Sequence, residues 1–273
     1  DSDLRRRLAM KVVLDRDSCT ADSAARTVDP ATLARFLEEA QVTGQLDHPG
    51  IVPVHELGLD ANGQVYFTMR LVRGRDLESV FTLASRGEEG WTTTRVLGVL
   101  LKVCEATAYA HSKGVVHRDL KPANVMVGSF GEVYVMDWGL ARVVGREDLH
   151  DPHRAGSSVP RSVRTARRDE RESGAHSPAF TMEGDVLGTP AYMSPEQATG
   201  RISELSARSD VYSIGAMLHE LLAGAPPYSR PGERPSAREV LEAVRRGPPT
   251  PLRELRPDVA PELESICEKA MAR

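Results

Sequence analysis

The sequence of 273 residues is poor in cysteine, in aromatic residues and in long apolar runs. Its three cysteines, Cys19, Cys104 and Cys267, lie far apart without metal-ligand spacing, which predicts reduced thiols rather than a disulfide framework. The most apolar stretch, residues 96–104, contains Lys102 and is too short to cross a bilayer. No signal-peptide pattern opens the chain, so we expect a cytoplasmic domain whose membrane tether, if it has one, lies outside this sequence.

An excess of charge of one sign is also lacking. Lysines and arginines number 35 and acidic residues 39, so the net charge is −4 at pH 7. Nucleic-acid-binding domains usually carry a basic excess that neutralises phosphates, so this balance argues against a nucleic-acid partner. The length is sufficient for one large domain or for two packed lobes.

The N-terminal part of the chain combines strand signals with one helix signal. Residues 8–14 read as a buried strand interrupted by a lysine. Residues 30–44 predict an amphipathic helix, with Asp29 as its N-cap and proline at its first position. Residues 51–59 and 65–69 flank an Asp-Ala-Asn-Gly turn and predict a hairpin.

The remainder of the chain is mostly helical in pattern. A helix after Thr92 is predicted to end at Gly114 and to carry an apolar stripe. The stripe consists of Val96, Leu97, Leu100, Leu101, Cys104 and Ala108. A further helix is predicted over residues 210–223, and two short strands are predicted over 125–127 and 133–135.

The densest chemical pattern lies in the middle of the chain. Residues 117–124 read H-R-D-L-K-P-A-N, and Asp137-Trp138-Gly139 follows thirteen residues after Asn124. Together these motifs place two carboxylates, an amide and a lysine around a short hairpin. Phosphoryl transfer needs this set: a carboxylate to orient a hydroxyl and accept its proton, oxygen ligands for Mg²⁺, and a lysine to offset phosphate charge.

These motifs resemble those of the protein kinase superfamily, and most closely those of bacterial serine/threonine kinases of the eukaryotic type. The resemblance covers essentially the whole chain. It implies that Asp119 is the catalytic base, Lys121 a contact of the γ-phosphate and Asn124 a Mg²⁺ ligand. Asp137 takes the position of the metal-binding aspartate of the D-F-G motif, in which Trp138 replaces the usual phenylalanine.

The same resemblance extends to the predicted first strand. Residues 9–11 read A-M-K and resemble the strand motif V-A-I-K. A lysine within an apolar run needs a partner charge, and the resemblance implies an ion pair of Lys11 with Glu39 that aims the lysine at the α- and β-phosphates. Glu38 is the competing partner, and Glu39 is favoured because it directly precedes Ala40.

An adenine site is implied next to this strand. Met69 takes the gatekeeper position, which makes residues 70–72 the hinge, and backbone groups of Arg70 and Val72 would bond the adenine edge. The side chains expected to pack on the adenine faces are Ala9, Met126 and Met136. Plain core packing is the alternative role of each methionine.

The acceptor specificity is implied by Lys121 and by a later segment. A lysine two positions after the catalytic aspartate resembles serine/threonine rather than tyrosine kinases. Residues 188–192, G-T-P-A-Y, resemble the loop that receives the substrate residue, where Thr189 would bond the catalytic lysine and aspartate. Residues 194–196 read S-P-E and correspond to the A-P-E motif, with serine in place of alanine.

Two further residues are assigned supporting roles by the resemblance. Asp210 corresponds to the aspartate beneath the catalytic loop, which bonds backbone amides of that loop. Thr181 lies where related bacterial kinases carry an activating phosphothreonine, and we hypothesise that its phosphate orders the loop through charge-assisted bonds to Arg118. An unmodified surface threonine is the alternative.

Parts of the family pattern are not found in the sequence. No G-x-G-x-x-G precedes Lys11, and residues 261–273 read as a late helix cut short before the arginine that pairs with Glu196 in the family. We therefore expect a kinase domain that is incomplete at both ends and, as given, binds ATP poorly.

The sequence thus predicts an α+β, two-lobed protein-kinase-like fold. Residues 1–72 are expected to form a partial N-lobe and residues 73–273 a C-lobe that is truncated near its end. Its activation segment over 137–196 is expected to carry a flexible insert at about 146–180. The predicted activity is transfer of phosphate from ATP, with Mg²⁺ or alternatively Mn²⁺, to serine or threonine hydroxyls of protein substrates.

We expect this activity to serve bacterial signalling, to be activated by phosphorylation of the activation loop, and to involve self-association for trans-autophosphorylation. A pseudokinase scaffold is the main alternative. A small-molecule phosphotransferase of the same fold is the other.

Overall fold

The computed structural model describes residues 5–13, 29–143 and 190–273. A small antiparallel sheet with one helix comes first along the chain, and a larger region of helices and short strands follows. This is the predicted α+β kinase-like architecture. Among the described residues, no helix has both the length and the apolarity needed to cross a membrane.

The N-terminal sheet has three strands, β1 (Leu8–Val12), β2 (Val54–Leu59) and β3 (Val65–Arg70), in the order β1-β3-β2. All neighbours are antiparallel, and Lys11 pairs with Phe67 in the register of β1 and β3. Because side chains alternate along a strand, Ala9 and Lys11 share one face of β1.

Helix α1 (Pro30–Gln45) packs beside this sheet and confirms the predicted helix and its cap. The side chain of Asp29 accepts a hydrogen bond of 2.9 Å from the backbone N–H of Thr32, which satisfies one of the free amides of the first turn. Phe36 is buried, and its ring centroid lies 4.9 Å from that of Phe67 in β3. This contact fixes the face of α1 that is turned to the sheet.

The predicted hairpin is present, but its first strand is shorter than expected. Strand β2 begins at Val54 rather than at Ile51. Pro53 cannot donate a ladder hydrogen bond and therefore delays the strand. Ile51 instead forms an isolated parallel bridge with Val135, and its side chain is buried in the hydrophobic core of the second region.

The second region begins after β3 and contains the remaining elements. In chain order they are β4 (Gly74–Asp76), α2 (Leu77–Arg86), α3 (Thr93–Ser112), β5 (Val115–Val116), β6 (Val125–Gly128), β7 (Val133–Val135), β8 (Arg142–Val143), α4 (Pro195–Ala198), α5 (Ala207–Ala223), α6 (Ala237–Arg246), α7 (Leu252–Leu255) and α8 (Pro261–Ala270). Strands β4, β6 and β7 form one antiparallel sheet, and β5 pairs with β8.

Helix α5 is the central helix of this region, and it contacts both α3 and α8. It starts three residues before the predicted start because the Ser206 side chain caps it, and it ends as predicted at Gly224, whose φ is 78°. The left-handed backbone of Gly224 is favourable for glycine and closes the helix. Most of α5 is buried, including Asp210 near its N-terminus.

The predicted apolar stripe of α3 is partly wrong. Leu101, Cys104 and Ala108 are exposed, and Leu97 is only half buried. The buried residues of α3 are Val96, Val99, Leu100, Val103, Ala106, Thr107 and Ala110. Apolar side chains occur on more than one face of this helix, and packing against α5 and β7 selects the face that is buried.

We predict that Gly74→Ala destabilises the fold. An added Cβ at Gly74 would collide with the backbone carbonyl of Val127 in β6, and backbone cannot move aside as a flexible side chain can. Overpacking of this kind typically costs about 1–3 kcal/mol. Denaturant unfolding of the full chain measures the change.

The matched control is Gly98→Ala in α3, where an added Cβ meets no atom within 4 Å. Alanine is the better helix former by about 0.5–1 kcal/mol, so this variant should be slightly more stable than the unmodified chain. Equal stability of both variants would show that the β4–β6 contact is not tight.

Candidate active site

The candidate site is built around the loop of residues 117–124, which connects β5 to β6. His117 attaches this loop to the core of the second region. Its side chain is fully buried, its Nε2 lies 2.9 Å from the carbonyl oxygen of Met136, and its ring lies 4.6 Å from that of Trp138. Trp138 is buried in the core, so the aromatic residue after Asp137 packs against the loop.

The carboxylate of Asp210 holds the same loop through its backbone. Oδ2 accepts a hydrogen bond of 2.8 Å from the N–H of His117, and Oδ1 accepts one of 2.8 Å from the N–H of Arg118. Oδ2 also lies 2.7 Å from Nε2 of His111 in α3. The contact with the loop amides is the one that the sequence analysis assigned to Asp210.

Two site residues have left-handed backbone conformations although they are not glycine. The φ angles are 71° at Arg118 and 60° at Asp137. Such conformations persist in residues with a side chain only where the surroundings hold them, and they are concentrated at functional sites. Each therefore marks a position whose geometry is imposed by the fold.

Three polar side chains meet at the outer end of the loop. Lys121 Nζ lies 2.8 Å from Asp119 Oδ2, and Asn124 Nδ2 donates to the same oxygen at 3.1 Å. Asn124 Nδ2 also donates to the backbone carbonyl of Asp119 at 2.8 Å. The Asp119 side chain keeps 18% of its surface exposed, so it is oriented by its partners and still reachable from outside.

A second charged group comes from the N-terminal sheet and α1. Lys11 Nζ lies 2.6 Å and 2.7 Å from the two carboxylate oxygens of Glu39, and 3.6 Å from Asp137 Oδ1. The lysine is thus paired with Glu39, the favoured partner, and not with Glu38. Burial raises the pKa of Glu39 above its ordinary value, and the Lys11 ammonium partly offsets this.

Gly139 leaves room for this ion pair. A Cβ added at Gly139 would lie 3.0 Å from Glu39 Oε2 and 3.3 Å from Asp137 Oδ1. Contacts this short would force one of the carboxylates to move.

The two groups of charged residues are connected through the backbone. The N–H of Met136 donates to the carbonyl of Asn124 at 2.8 Å, directly before Asp137 in the chain. The chain of contacts therefore runs from Glu39 through Lys11 to Asp137, and from there through residue 136 to Asn124 and Asp119. The sequence-predicted residues of phosphoryl transfer form one continuous site.

The residues expected around adenine lie at the junction of the two regions. Ala9 pairs with Met69 in the register of β1 and β3. The backbone N–H of Arg70 donates to the carbonyl of Pro53 at 3.2 Å. The other side chains of this group are half buried: Val72, Met126 and Met136. Their role toward a nucleotide stays a prediction.

The oxygen donors of the site suit Mg²⁺. The amide nitrogen of Asn124 is used by Asp119, so its oxygen Oδ1 is the atom left for a metal ion. The side chain of Asp137 is 52% exposed. Magnesium prefers oxygen ligands and keeps several of its waters, so one amide oxygen and one carboxylate are an adequate protein contribution.

The segment after residue 189 is anchored on α5. The hydroxyl of Tyr192 donates to Glu220 Oε2 at 2.6 Å, and the hydroxyl of Ser209 donates to Glu196 Oε1 at 2.6 Å. Glu196, for which an arginine partner was expected, thus has a hydroxyl partner from α5. Thr181 and Thr189, together with the predicted insert at 146–180, lie outside the described residues.

Comparison with known proteins identifies the family. The model of the protein kinase domain matches residues 3–273. The chain belongs to the protein kinase family. This kinase domain is 34% identical over its whole length to the serine/threonine-protein kinase PknD of Chlamydia trachomatis serovar L2b, of which it covers 27%.

Two further relatives carry similar names. The serine/threonine-protein kinase PknD of Protochlamydia amoebophila is 38% identical over 74% of the kinase domain, which covers 20% of that protein. The probable serine/threonine-protein kinase PknB of Corynebacterium glutamicum is 34% identical over 90% of the domain, which covers 33% of that protein. The chain therefore spans no more than about a third of the length of these relatives.

Two residues of the kinase site were missed by the sequence analysis. His111 bonds Asp210, and the side chain of Gln197 donates to the carbonyl of Arg118 at 2.6 Å. The pattern S-P-E-Q at residues 194–197 is a capping-box signature and could have predicted the start of α4. No local signal predicts that Gln197 reaches the catalytic loop.

We predict that Glu220 makes the stability of the kinase domain depend on pH. Burial raises the pKa of Glu220 to about 7, and the nearby Glu78 adds to this. A raised pKa in the folded state means that its stabilising contribution is complete below the ordinary pKa and is lost as the pH rises through about 7. The loss is on the order of 3 kcal/mol.

Glu220→Gln should therefore flatten the fall in unfolding free energy between about pH 4.5 and 7. The matched control is Glu254→Gln, at an exposed glutamate of α7. Urea unfolding at several pH values gives both slopes. Identical slopes for Glu220→Gln and the unmodified chain would contradict the assignment.

Proposed function

We propose that this kinase domain transfers the γ-phosphoryl group of ATP to serine or threonine hydroxyls of proteins. The observation that carries the proposal is the hydrogen-bonded group of Asp119, Lys121 and Asn124, connected to the ion pair of Lys11 and Glu39 through Asp137. All residue types that phosphoryl transfer requires are present in this one site.

Asp119 is the residue that we assign to the acceptor hydroxyl. Its carboxylate is partly exposed and is oriented by Lys121 and Asn124, so a hydroxyl bonded to it would be held in a defined orientation. The carboxylate accepts the hydroxyl proton as the new P–O bond forms and the bond to the leaving ADP oxygen breaks. Most of the rate gain comes from this positioning and from charge stabilisation.

Lys11 is assigned to the α- and β-phosphates. Glu39 holds its ammonium group through both carboxylate oxygens, which limits the directions that the lysine can take. A lysine in a fixed position costs less entropy when it binds a phosphate than a freely rotating one. Lys121 is assigned to the γ-phosphate, next to the acceptor.

Asn124 and Asp137 are assigned to a divalent cation, with Mg²⁺ preferred and Mn²⁺ as an alternative. When bound, the ion would neutralise charge on the phosphates and hold them in one orientation. The adenine ring would lie between Ala9 and Met126, with the backbone of residues 70–72 at its edge and Met69 behind it.

Serine and threonine specificity is proposed from Lys121 and from the names of the relatives, which are serine/threonine-protein kinases. Activation by phosphorylation of Thr181 with Arg118 as partner stays a prediction, as does the role of Thr189. Self-association for trans-autophosphorylation, a role in bacterial signalling and a cytoplasmic location are likewise predictions.

Asp119→Asn is the direct test of the proposed function. The amide cannot accept the hydroxyl proton, so transfer of label from ATP to serine or threonine should fall by on the order of 10²–10⁴-fold. The change is measured with Mg²⁺ on the full chain. Asp258→Asn, at an exposed aspartate of the second region, is the matched control.

An unchanged rate in Asp119→Asn would refute the assignment of the base. An unmodified chain that is folded and binds nucleotide but transfers no label would instead support a pseudokinase scaffold.

The pair Glu39→Gln and Glu38→Gln separates the two candidate partners of Lys11. Glu39→Gln leaves the ammonium group without its bidentate partner, so kcat/KM for ATP should fall about tenfold or more. Glu38→Gln should change it by less than about threefold. Steady-state kinetics measures both values, and an equal loss in the two variants would contradict the role given to Glu39.

A further inference from the structure

The side chain of Gln197 connects α4 to the catalytic loop. Its Nε2 donates to the carbonyl of Arg118 at 2.6 Å. Its Oε1 accepts hydrogen bonds from the N–H of Ser194 at 3.1 Å and from the hydroxyl of Ser194 at 3.0 Å. Both ends of the amide are therefore in use, one toward the start of α4 and the other toward the residue that precedes Asp119.

Arg118 is held from two sides by these contacts. Its N–H donates to Asp210 of α5 at 2.8 Å, and its carbonyl accepts from Gln197 of α4. Its φ of 71° is a conformation that a residue with a side chain keeps only when its surroundings impose it. The bond to Gln197 thus fixes the carbonyl side of this residue, and the bond to Asp210 fixes its N–H side.

We infer that Gln197 is a positioning residue that sets the direction of the Asp119 carboxylate. The peptide bond between Arg118 and Asp119 begins with the carbonyl that Gln197 holds, so rotation of this peptide would turn Asp119 as well. The inference rests on the proposed function, because it assigns Gln197 to the same phosphoryl transfer. It also makes the catalytic aspartate dependent on the segment that contains Tyr192 and Ser194.

A purely structural role in capping α4 is the competing explanation. Capping requires only Oε1, which accepts from the N-cap residue Ser194. The bond from Nε2 to Arg118 contributes nothing to the helix start. A substitution that keeps the acceptor and removes the donor therefore distinguishes the two roles.

Gln197→Glu is such a substitution. Glutamate is as good as glutamine at this position of a capping box, so the start of α4 is retained. A carboxylate cannot donate to the carbonyl of Arg118 and repels it. Ser194→Ala makes the opposite change, because it removes the Ser194 hydroxyl and leaves the Nε2 donor of Gln197. Gln45→Glu, at an exposed glutamine of α1, is the matched control for charge.

Two readouts are measured on the full chain. The first is the split between kcat and the KM for ATP. The second is hydrogen exchange of the amides in residues 117–120, which includes the N–H of Asp119 bonded to His117 Nδ1 at 3.2 Å. In Gln197→Glu we expect kcat about tenfold or more lower, the KM for ATP within about threefold, and faster exchange in this loop.

Ser194→Ala and Gln45→Glu should leave loop exchange close to that of the unmodified kinase. Unchanged loop exchange in Gln197→Glu overturns the inference, whatever happens to kcat, because the loop would then not depend on this bond. Faster loop exchange with an unchanged kcat overturns it as well. Faster loop exchange in a protein whose unmodified form transfers no phosphate would support the positioning contact and refute the proposed function.

Discussion

The carboxylate of Asp210 lies in the interior, where a charged or polar group is costly unless hydrogen bonds replace its lost water. Two loop amides and the imidazole of His111 supply those bonds. The benefit is mutual, since the N–H groups of His117 and Arg118 find their acceptor in this carboxylate. Helix α5 is largely buried and contacts both α3 and α8, so the loop of residues 117–124 takes its position from a well-packed helix.

The site combines this loop with the ion pair of Lys11 and Glu39, which lie in β1 and α1. Lys11 comes from a strand and Glu39 from a helix of the first region, and Asp137 comes from the second. The lysine thus touches carboxylates from both regions, at 2.6 Å and 3.6 Å. Electrostatic contacts of this kind adjust to small relative movements more readily than packed apolar contacts do, which suits a site between two regions.

Features with a local signal were predictable from the sequence. Asp29 and the following proline start α1, Gly224 ends α5, and the H-R-D-L-K-P-A-N motif locates the loop. The buried face of α3 was not predictable, because its apolar residues allow more than one face. The contacts of His111 with Asp210 and of Gln197 with Arg118 join residues 99 and 79 positions apart, and only the tertiary fold brings them together.

The absence of a side chain at Gly139 limits which substitutions this position can accept without rearrangement. Every amino acid other than glycine carries a Cβ, so every missense change of this codon adds an atom 3.0 Å from the carboxylate that holds Lys11. A residue other than glycine at position 139 therefore requires the carboxylates of Glu39 and Asp137 to shift by a few tenths of an ångström. Glycine at this position thus leaves the ion pair of Lys11 and Glu39 undisturbed.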